Sequence, residues 1–180
     1  YSDYAKFFDE ASPYWQKDIY NPLIKNAKTM YLNAGSGVIG NIDRYLDIAK
    51  NNGVNAIVIR EGDQLIEAKI TSGQAEVMIA ARGGKAIRFN ENTVRPIGRV
   101  GAGVRGIALD EGDEVVGMIC IEPDSMQDVL VLSENGYGKR TDLDEYRITN
   151  RGGKGVKTIN ITDKTGSLVS IQAVTDDNDL

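Results

Sequence analysis

The sequence predicts a mainly β fold built from repeated four-stranded, propeller-like modules and preceded by a short α/β segment. After about residue 52, short apolar runs alternate with Gly-containing turns, a pattern typical of all-β chains. The strand pattern also recurs roughly every fifty residues, which is typical of repeat architectures. Before residue 52 the composition differs, because nine of the twelve aromatic residues lie there.

The first 51 residues are expected to form a helical and βα segment unrelated to the repeat. Apolar residues at helical spacing between Tyr4 and Trp15 predict a packing helix. A strand at 28–34, a turn at 35–37, an amphipathic helix at 42–49 and a strand at 54–59 then predict a βαβ-like unit.

The remaining residues, 52–180, are expected to form one domain of two full repeats and a truncated third. Connecting turns such as 61–63, 111–113 and 134–136 contain Gly, which supplies the positive φ that tight hairpins need. The strands are predicted at 54–59, 65–70, 76–80, 86–89, 106–109, 115–121, 129–132, 138–140, 156–161 and 168–173.

The charge is segregated along the chain. Although the formal net charge is −5, windows 82–105 and 139–157 hold twelve of the fifteen Lys and Arg after residue 52 and only four of the twenty Asp and Glu. A shift of 52 residues superimposes four basic positions of one window on four of the other. A basic face of this kind predicts a polyanion ligand, and regularly spaced cations could follow the phosphates of a duplex such as DNA. The predicted DNA-binding residues are Arg82, Lys85, Arg88, Arg95, Arg99, Arg105, Lys139, Arg140, Arg147, Arg151, Lys154 and Lys157.

Other motifs are better explained by structure. The run 101–106 matches a dinucleotide-binding fingerprint, but its flanks are strand-like and no helix follows. The carboxylates between Asp110 and Glu114 are expected to form a turn, because Glu-Gly-Asp recurs at 61–63. Cys120 is expected to be a core thiol. The absence of His excludes Ser-His and Cys-His catalysis and the usual zinc sites, so no metal site is expected.

From about residue 52 onward the chain resembles the C-terminal DNA-wrapping domain of the bacterial DNA gyrase A protein. The stretches that carry the resemblance are NGVNAI at 52–57, RVGAGVRG at 99–106, NGYGKRT at 135–141 and EYRITNRGGKGVKT at 145–158. The family's box motif, Q-R-R-G-G-K-G, is matched at five of seven positions by T-N-R-G-G-K-G at 149–155. The box residues assigned here are Asn150, Arg151, Gly152, Gly153, Lys154 and Gly155.

The resemblance implies an incomplete β-pinwheel whose basic rim bends duplex DNA without sequence preference, as part of a type IIA topoisomerase that introduces negative supercoils using ATP. It implies no catalytic residue and no cofactor in this chain, with ATP and Mg expected elsewhere in the holoenzyme. The implied partners are duplex DNA, the gyrase A catalytic domains and the gyrase B protein, in the bacterial cytoplasm at the nucleoid, with no membrane involved.

Three alternatives stay open on the sequence. The corresponding protein of topoisomerase IV carries a similar domain, and a blade domain could instead bind an acidic protein partner. Residues 28–59 also resemble, more weakly, the opening of a TIM-barrel family of glycoside hydrolases, which would give roles to Asp43, Asp47 or Glu61.

Overall fold

A computed structural model describes residues 29–41, 58–97 and 101–178. Within these ranges there are eleven β-strands and two 3-10 turns, Glu91–Thr93 and Leu143–Glu145. The strands are β1 (Thr29–Ala34), β2 (Val38–Asn41), β3 (Leu65–Thr71), β4 (Glu76–Ala81), β5 (Lys85–Asn90), β6 (Val104–Arg105), β7 (Val115–Ile121), β8 (Asp128–Ser133), β9 (Gly138–Asp142), β10 (Val156–Lys157) and β11 (Leu168–Val174). The predicted mainly β character of the described chain is confirmed.

The strands form three sheets with one repeating plan. Sheet 1 has the order β3-β1-β2-β6, sheet 2 the order β10-β5-β4-β7, and sheet 3 the order β11-β8-β9. Each sheet is built on a tight hairpin (β1–β2, β4–β5 or β8–β9), and a later strand pairs antiparallel with the first strand of that hairpin. A two-residue strand from farther along the chain closes the other side of sheets 1 and 2.

These two short strands connect neighbouring modules. β6 follows the sheet 2 hairpin in sequence but pairs with β2 of sheet 1, and β10 follows the sheet 3 hairpin but pairs with β5 of sheet 2. In both places the turn glycine of the earlier hairpin, Gly37 or Gly84, accepts two backbone N–H groups from the residues that follow the arriving strand. The chain therefore returns to the preceding sheet before it continues forward.

The core lies on both faces of sheet 2, because alternate residues of a strand point to opposite faces. Val77 and Ile79 of β4 belong to a cluster that includes Ile39 and Ile107, on the sheet 1 side. Met78 and Ala80 belong to a second cluster that includes residues of β8 and β11, on the sheet 3 side. Sheet 2 is thus packed between its two neighbours.

The hairpin β1–β2 departs from the βα pattern expected for the N-terminal segment. Residues 38–41 form a strand directly after the turn, and β1 pairs antiparallel with both β2 and β3. Strands of a TIM barrel have parallel neighbours, so the resemblance to a barrel opening is wrong for these residues. The repeat did not reveal the hairpin because β1 and β4 begin 47 residues apart, at Thr29 and Glu76, whereas β3 and β7 begin 50 apart, at Leu65 and Val115.

Most predicted strands of the repeat are confirmed, and two need correction. Residues 106–109 are not a strand; β6 ends at Arg105, and the N–H groups of Gly106 and Ile107 both donate to the Gly37 carbonyl. The strand predicted at 156–161 ends at Lys157. The helices predicted near 4–15 and 42–49 and most of the strand predicted at 54–59 lie outside the described residues, and the domain boundary near residue 52 stays a prediction.

No helix in the described part of the chain has the length and apolar character needed to span a bilayer.

Candidate nucleic-acid interface

The segment 148–158, here called the box segment because it contains the box residues, lies along the outer edge of β5. Ile148 forms a parallel bridge with Arg88, and Val156 pairs with Ala86. Gly155 has φ +72, and a Cβ added there would clash with the Ala86 carbonyl oxygen. Only glycine allows the backbone to approach β5 this closely.

A buried contact joins Tyr146, two residues before the box segment, to Thr158, the last residue of the segment; this contact is called the base of the box segment. The Tyr146 hydroxyl hydrogen-bonds the Thr158 hydroxyl, and these residues are 3% and 4% exposed. The guanidinium of Arg88 donates to the carbonyls of Leu143 and Tyr146, at 2.7 and 2.9 Å. The loop between Tyr146 and Thr158 is therefore anchored to sheet 2 at its base.

The box segment also contacts the first basic window. Arg151 Nε donates to the Thr93 carbonyl at 2.9 Å, and Arg151 Nη1 donates to the Arg105 carbonyl at 3.1 Å. The backbone N–H of Gly152 donates to Gly106, and that of Ala108 donates to Gly153. Although 46 residues separate Arg105 and Arg151, folding thus brings parts of the two basic windows together.

A second contact between the windows passes through Asp110. The Lys85 ammonium donates to Asp110 Oδ2, and the Lys154 ammonium lies 4.0 Å from Asp110 Oδ1. The hydrogen bond from Lys85 and then the charge of Lys85 lower the pKa of the Asp110 carboxyl; desolvation opposes them, and the charge of Lys154 lowers the pKa by the smallest amount. Asp110 is therefore an anion held between two predicted DNA-binding cations.

Arg82 and Arg140 also bind carboxylates of their own chain. Arg82 pairs with Glu114 at 2.7 Å, and Arg140 pairs with Asp128 at 2.6 Å and Asp176 at 2.5 Å. Both guanidinium groups remain about half exposed, so such pairs are weak and salt-sensitive.

The other predicted cations are mostly exposed. Arg151 is half-buried, and Arg99 lies outside the described residues. Among the predicted DNA-binding cations that the structure describes, those that are exposed and contact no carboxylate at closer than 4.0 Å are Arg95, Arg105, Lys139, Arg147, Lys154 and Lys157.

Arg88 does not belong to this exposed set. Its side chain is 11% exposed and binds the Glu76 carboxylate at 2.5 Å, in addition to the two carbonyls at the base of the box segment. The guanidinium is thus occupied by three acceptors inside the fold. The prediction of Arg88 as a DNA-binding residue is therefore corrected to a structural role.

Lys139 and Arg140 follow one another in β9, so their side chains leave opposite faces of sheet 3. Arg140 pairs across the strands with Leu130, on the face that carries Asp128. The two cations therefore cannot both follow one line of phosphates on the same face.

Two features of this site were not found from sequence. One is the contact between Tyr146 and Thr158 at the base of the box segment, and the other is the position of Asp110 between Lys85 and Lys154. The spacing of twelve residues between Tyr146 and Thr158 gave no local signal of their contact. Asp110 was grouped with the turn carboxylates. Asp113 and Asp63 do accept backbone N–H groups with their carboxylates, from Gly83 and Ser36, whereas the Asp110 carboxylate binds a lysine.

No group of three or more Cys, Asp or Glu placed to hold a metal ion is present among residues 29–41, 58–97 and 101–178. Cys120 packs half-buried against the sheet 1 side of the core, as predicted. Burial raises the pKa of its thiol, and the nearby Glu91 charge raises it further.

Comparisons with known proteins agree with this architecture. The family described as DNA gyrase C-terminal domain, beta-propeller, matches residues 75–122 and 127–175. The DNA gyrase A protein of Staphylococcus aureus (strain MRSA252) is 51% identical over 129 residues, which cover 72% of this chain and 15% of that protein. The chain thus spans only a small part of the curated relatives it matches.

Solved structures give the same result. A DNA gyrase A C-terminal domain matches with a TM-score of 0.72 and 30% identity, covering 84% of this chain and 50% of that one. The C-terminal domain of a DNA topoisomerase IV (TM-score 0.73, 22% identity, 84% and 47% covered) and that of E. coli ParC (TM-score 0.65, 18% identity, 83% and 63% covered) share the fold. The predicted pinwheel or propeller-like class and the resemblance at 52–180 are confirmed, and the chain belongs to the DNA gyrase C-terminal domain family.

Proposed function

We propose that this chain binds and bends duplex DNA without sequence preference, as the DNA-wrapping part of a gyrase A protein. Its whole protein would then belong to a type IIA topoisomerase that supercoils DNA using ATP. Duplex DNA, the gyrase A catalytic domains and gyrase B would be its partners. Membership of the family supports the assignment to a gyrase A protein, and the placement of the cations supports duplex DNA as the ligand.

The observation that carries the proposal is that the box segment packs along β5 of sheet 2 and so lies next to residues of the first basic window. Arg151 contacts the Thr93 and Arg105 carbonyls, so the exposed Arg105 lies beside a box cation although 46 residues separate the two. Phosphate contacts of Lys and Arg supply sequence-independent affinity and set the position of a protein on a duplex. Cations gathered from two modules suit a ligand that extends over both.

The salt dependence of binding tests this proposal. Six exposed cations that each neutralise one phosphate predict that log K falls against log salt with a slope of about −5. Fluorescence anisotropy with a short labelled duplex would measure it, using two duplexes of unrelated sequence to check that their affinities agree. A slope near zero, or affinities that differ strongly between the two duplexes, would refute the proposal.

Two other candidates are separated by related measurements. A module that binds an acidic protein surface should prefer poly-glutamate to duplex DNA in a direct competition at equal charge. The topoisomerase IV alternative shares the fold and predicts the same binding curve. Supercoiling of relaxed plasmid by the reconstituted holoenzyme would distinguish it, because only a gyrase is expected to introduce negative supercoils.

A further inference from the structure

We propose that Lys85 and Lys154 form a phosphate-binding pair in which the Asp110 carboxylate occupies the position of the phosphate until DNA displaces it. The proposal rests on the proposed function, because the displacing ligand is the duplex. The inference goes beyond the proposed function because it assigns a carboxylate of the chain itself, that of Asp110, as a competitor of phosphate at one defined place on the basic surface.

The two lysines come from different windows and both approach Asp110. Lys85 begins β5, and Lys154 lies in the box segment. One carboxylate oxygen of Asp110 accepts from Lys85, and the other lies 4.0 Å from the Lys154 ammonium. A phosphate group has the same charge-bearing oxygens and can accept from both ammonium groups.

The turn that contains Asp110 does not need its carboxylate. In the turn before β7 the Asp113 N–H donates to the Asp110 carbonyl at 3.1 Å, and in the equivalent turn before β3 the Asp63 N–H donates to the Arg60 carbonyl at 3.0 Å. The same backbone turn therefore forms with Asp110 at its first position in one case and Arg60 at that position in the other. The side chain of Asp110 is available for another role, and the cations beside it in the described structure are the two lysines.

The group is also accessible to a ligand. The side chains of Lys85, Asp110 and Lys154 are 36%, 52% and 77% exposed. Exposed ion pairs are weak and are screened by salt, so a polyanion with many phosphates can replace a single carboxylate. The same carboxylate would lower affinity for an anion that offers only one contact.

The test compares two substitutions that remove the same charge from the same turn. Asp110→Asn releases both lysines, whereas Glu111→Gln removes the neighbouring exposed carboxylate, which contacts no cation among the described residues. We expect Asp110→Asn to tighten binding of a short mixed-sequence duplex about three- to fivefold relative to Glu111→Gln, the factor that corresponds to one surface ion pair. The gain should disappear in a Lys85→Gln/Lys154→Gln background.

A second readout does not depend on DNA. Mass-spectrometric acetylation of the folded protein should show faster modification of Lys85 in Asp110→Asn than in Glu111→Gln, because the ammonium has lost its partner. Equal gains in DNA affinity for the two variants, or weaker binding by Asp110→Asn, would overturn the inference while leaving the proposed function intact. Failure of the parent protein to bind the duplex would overturn the proposed function and this inference with it.

Discussion

Replacing Arg88 by Met tests whether this arginine supports the fold or contacts DNA. The change leaves the Glu76 carboxylate, 22% exposed, without its cation and removes the donor to the Tyr146 carbonyl. Breaking a buried ion pair from one side costs about 3–5 kcal/mol. Because both side chains keep some exposure, we expect the lower end, about 3 kcal/mol. For a chain of this size that lowers Tm by roughly 6–12 °C.

Urea and thermal unfolding would measure this loss, and the internal repeat supplies the control. Arg140 lies 52 residues after Arg88 and binds Asp128, which lies 52 residues after Glu76, but its side chain is 45% exposed and contacts no backbone carbonyl among the described residues. Arg140→Met should therefore change stability far less. Adding Glu76→Met to Arg88→Met should restore part of the loss.

The reasoning is refuted if Arg88→Met unfolds like the parent and at the same time lowers the salt slope of DNA binding by about one unit. That result would place the guanidinium on a phosphate. The expected outcome is a less stable protein whose folded fraction keeps the parental slope.

Three further predictions concern the base of the box segment, its glycine and the cysteine. Tyr146→Phe leaves the buried Thr158 hydroxyl without its partner, so urea denaturation should show a loss of about 1–3 kcal/mol, with partial recovery on adding Thr158→Val. Gly155→Ala should destabilise by about 2 kcal/mol more than Gly112→Ala, because both have positive φ but only Gly155 meets a carbonyl; equal losses would contradict the close approach. The Cys120 thiol should react slowly with a thiol reagent at pH 8 and rapidly once urea unfolds the chain, because burial raises its pKa and disfavours the thiolate.

The local elements of the repeat could be predicted, but the connections between modules could not. Turns such as 61–63 and 111–113 are marked by Gly, and β7 was predicted with the bounds it has, Val115–Ile121. The pairing of β6 with β2 and of β10 with β5 is non-local and involves two residues each. Such pairing has no signature in apolar periodicity, and so residues 106–109 were wrongly predicted as a strand.

Charge counting located the candidate interface but could not orient its side chains. Arg88 and Arg140 occupy equivalent positions of the repeat, but their exposures differ. The Arg88 side chain is largely buried because the segment from Leu143 to Tyr146 folds over it, whereas the Arg140 side chain is about half exposed. Likewise, Asp110 and Asp113 belong to one acidic turn, but only Asp113 uses its carboxylate to hold the turn. These differences depend on neighbours that are distant along the chain.

The most direct test of the central claim is the end-to-end distance of a short duplex, measured by energy transfer between dyes at its two ends. A track formed jointly by both basic windows predicts that saturating protein brings the ends together. It also predicts that Arg105→Glu and Lys154→Glu each abolish the change, with no further effect when they are combined. A duplex that binds tightly but stays straight, or two variants whose effects simply add, would contradict the account.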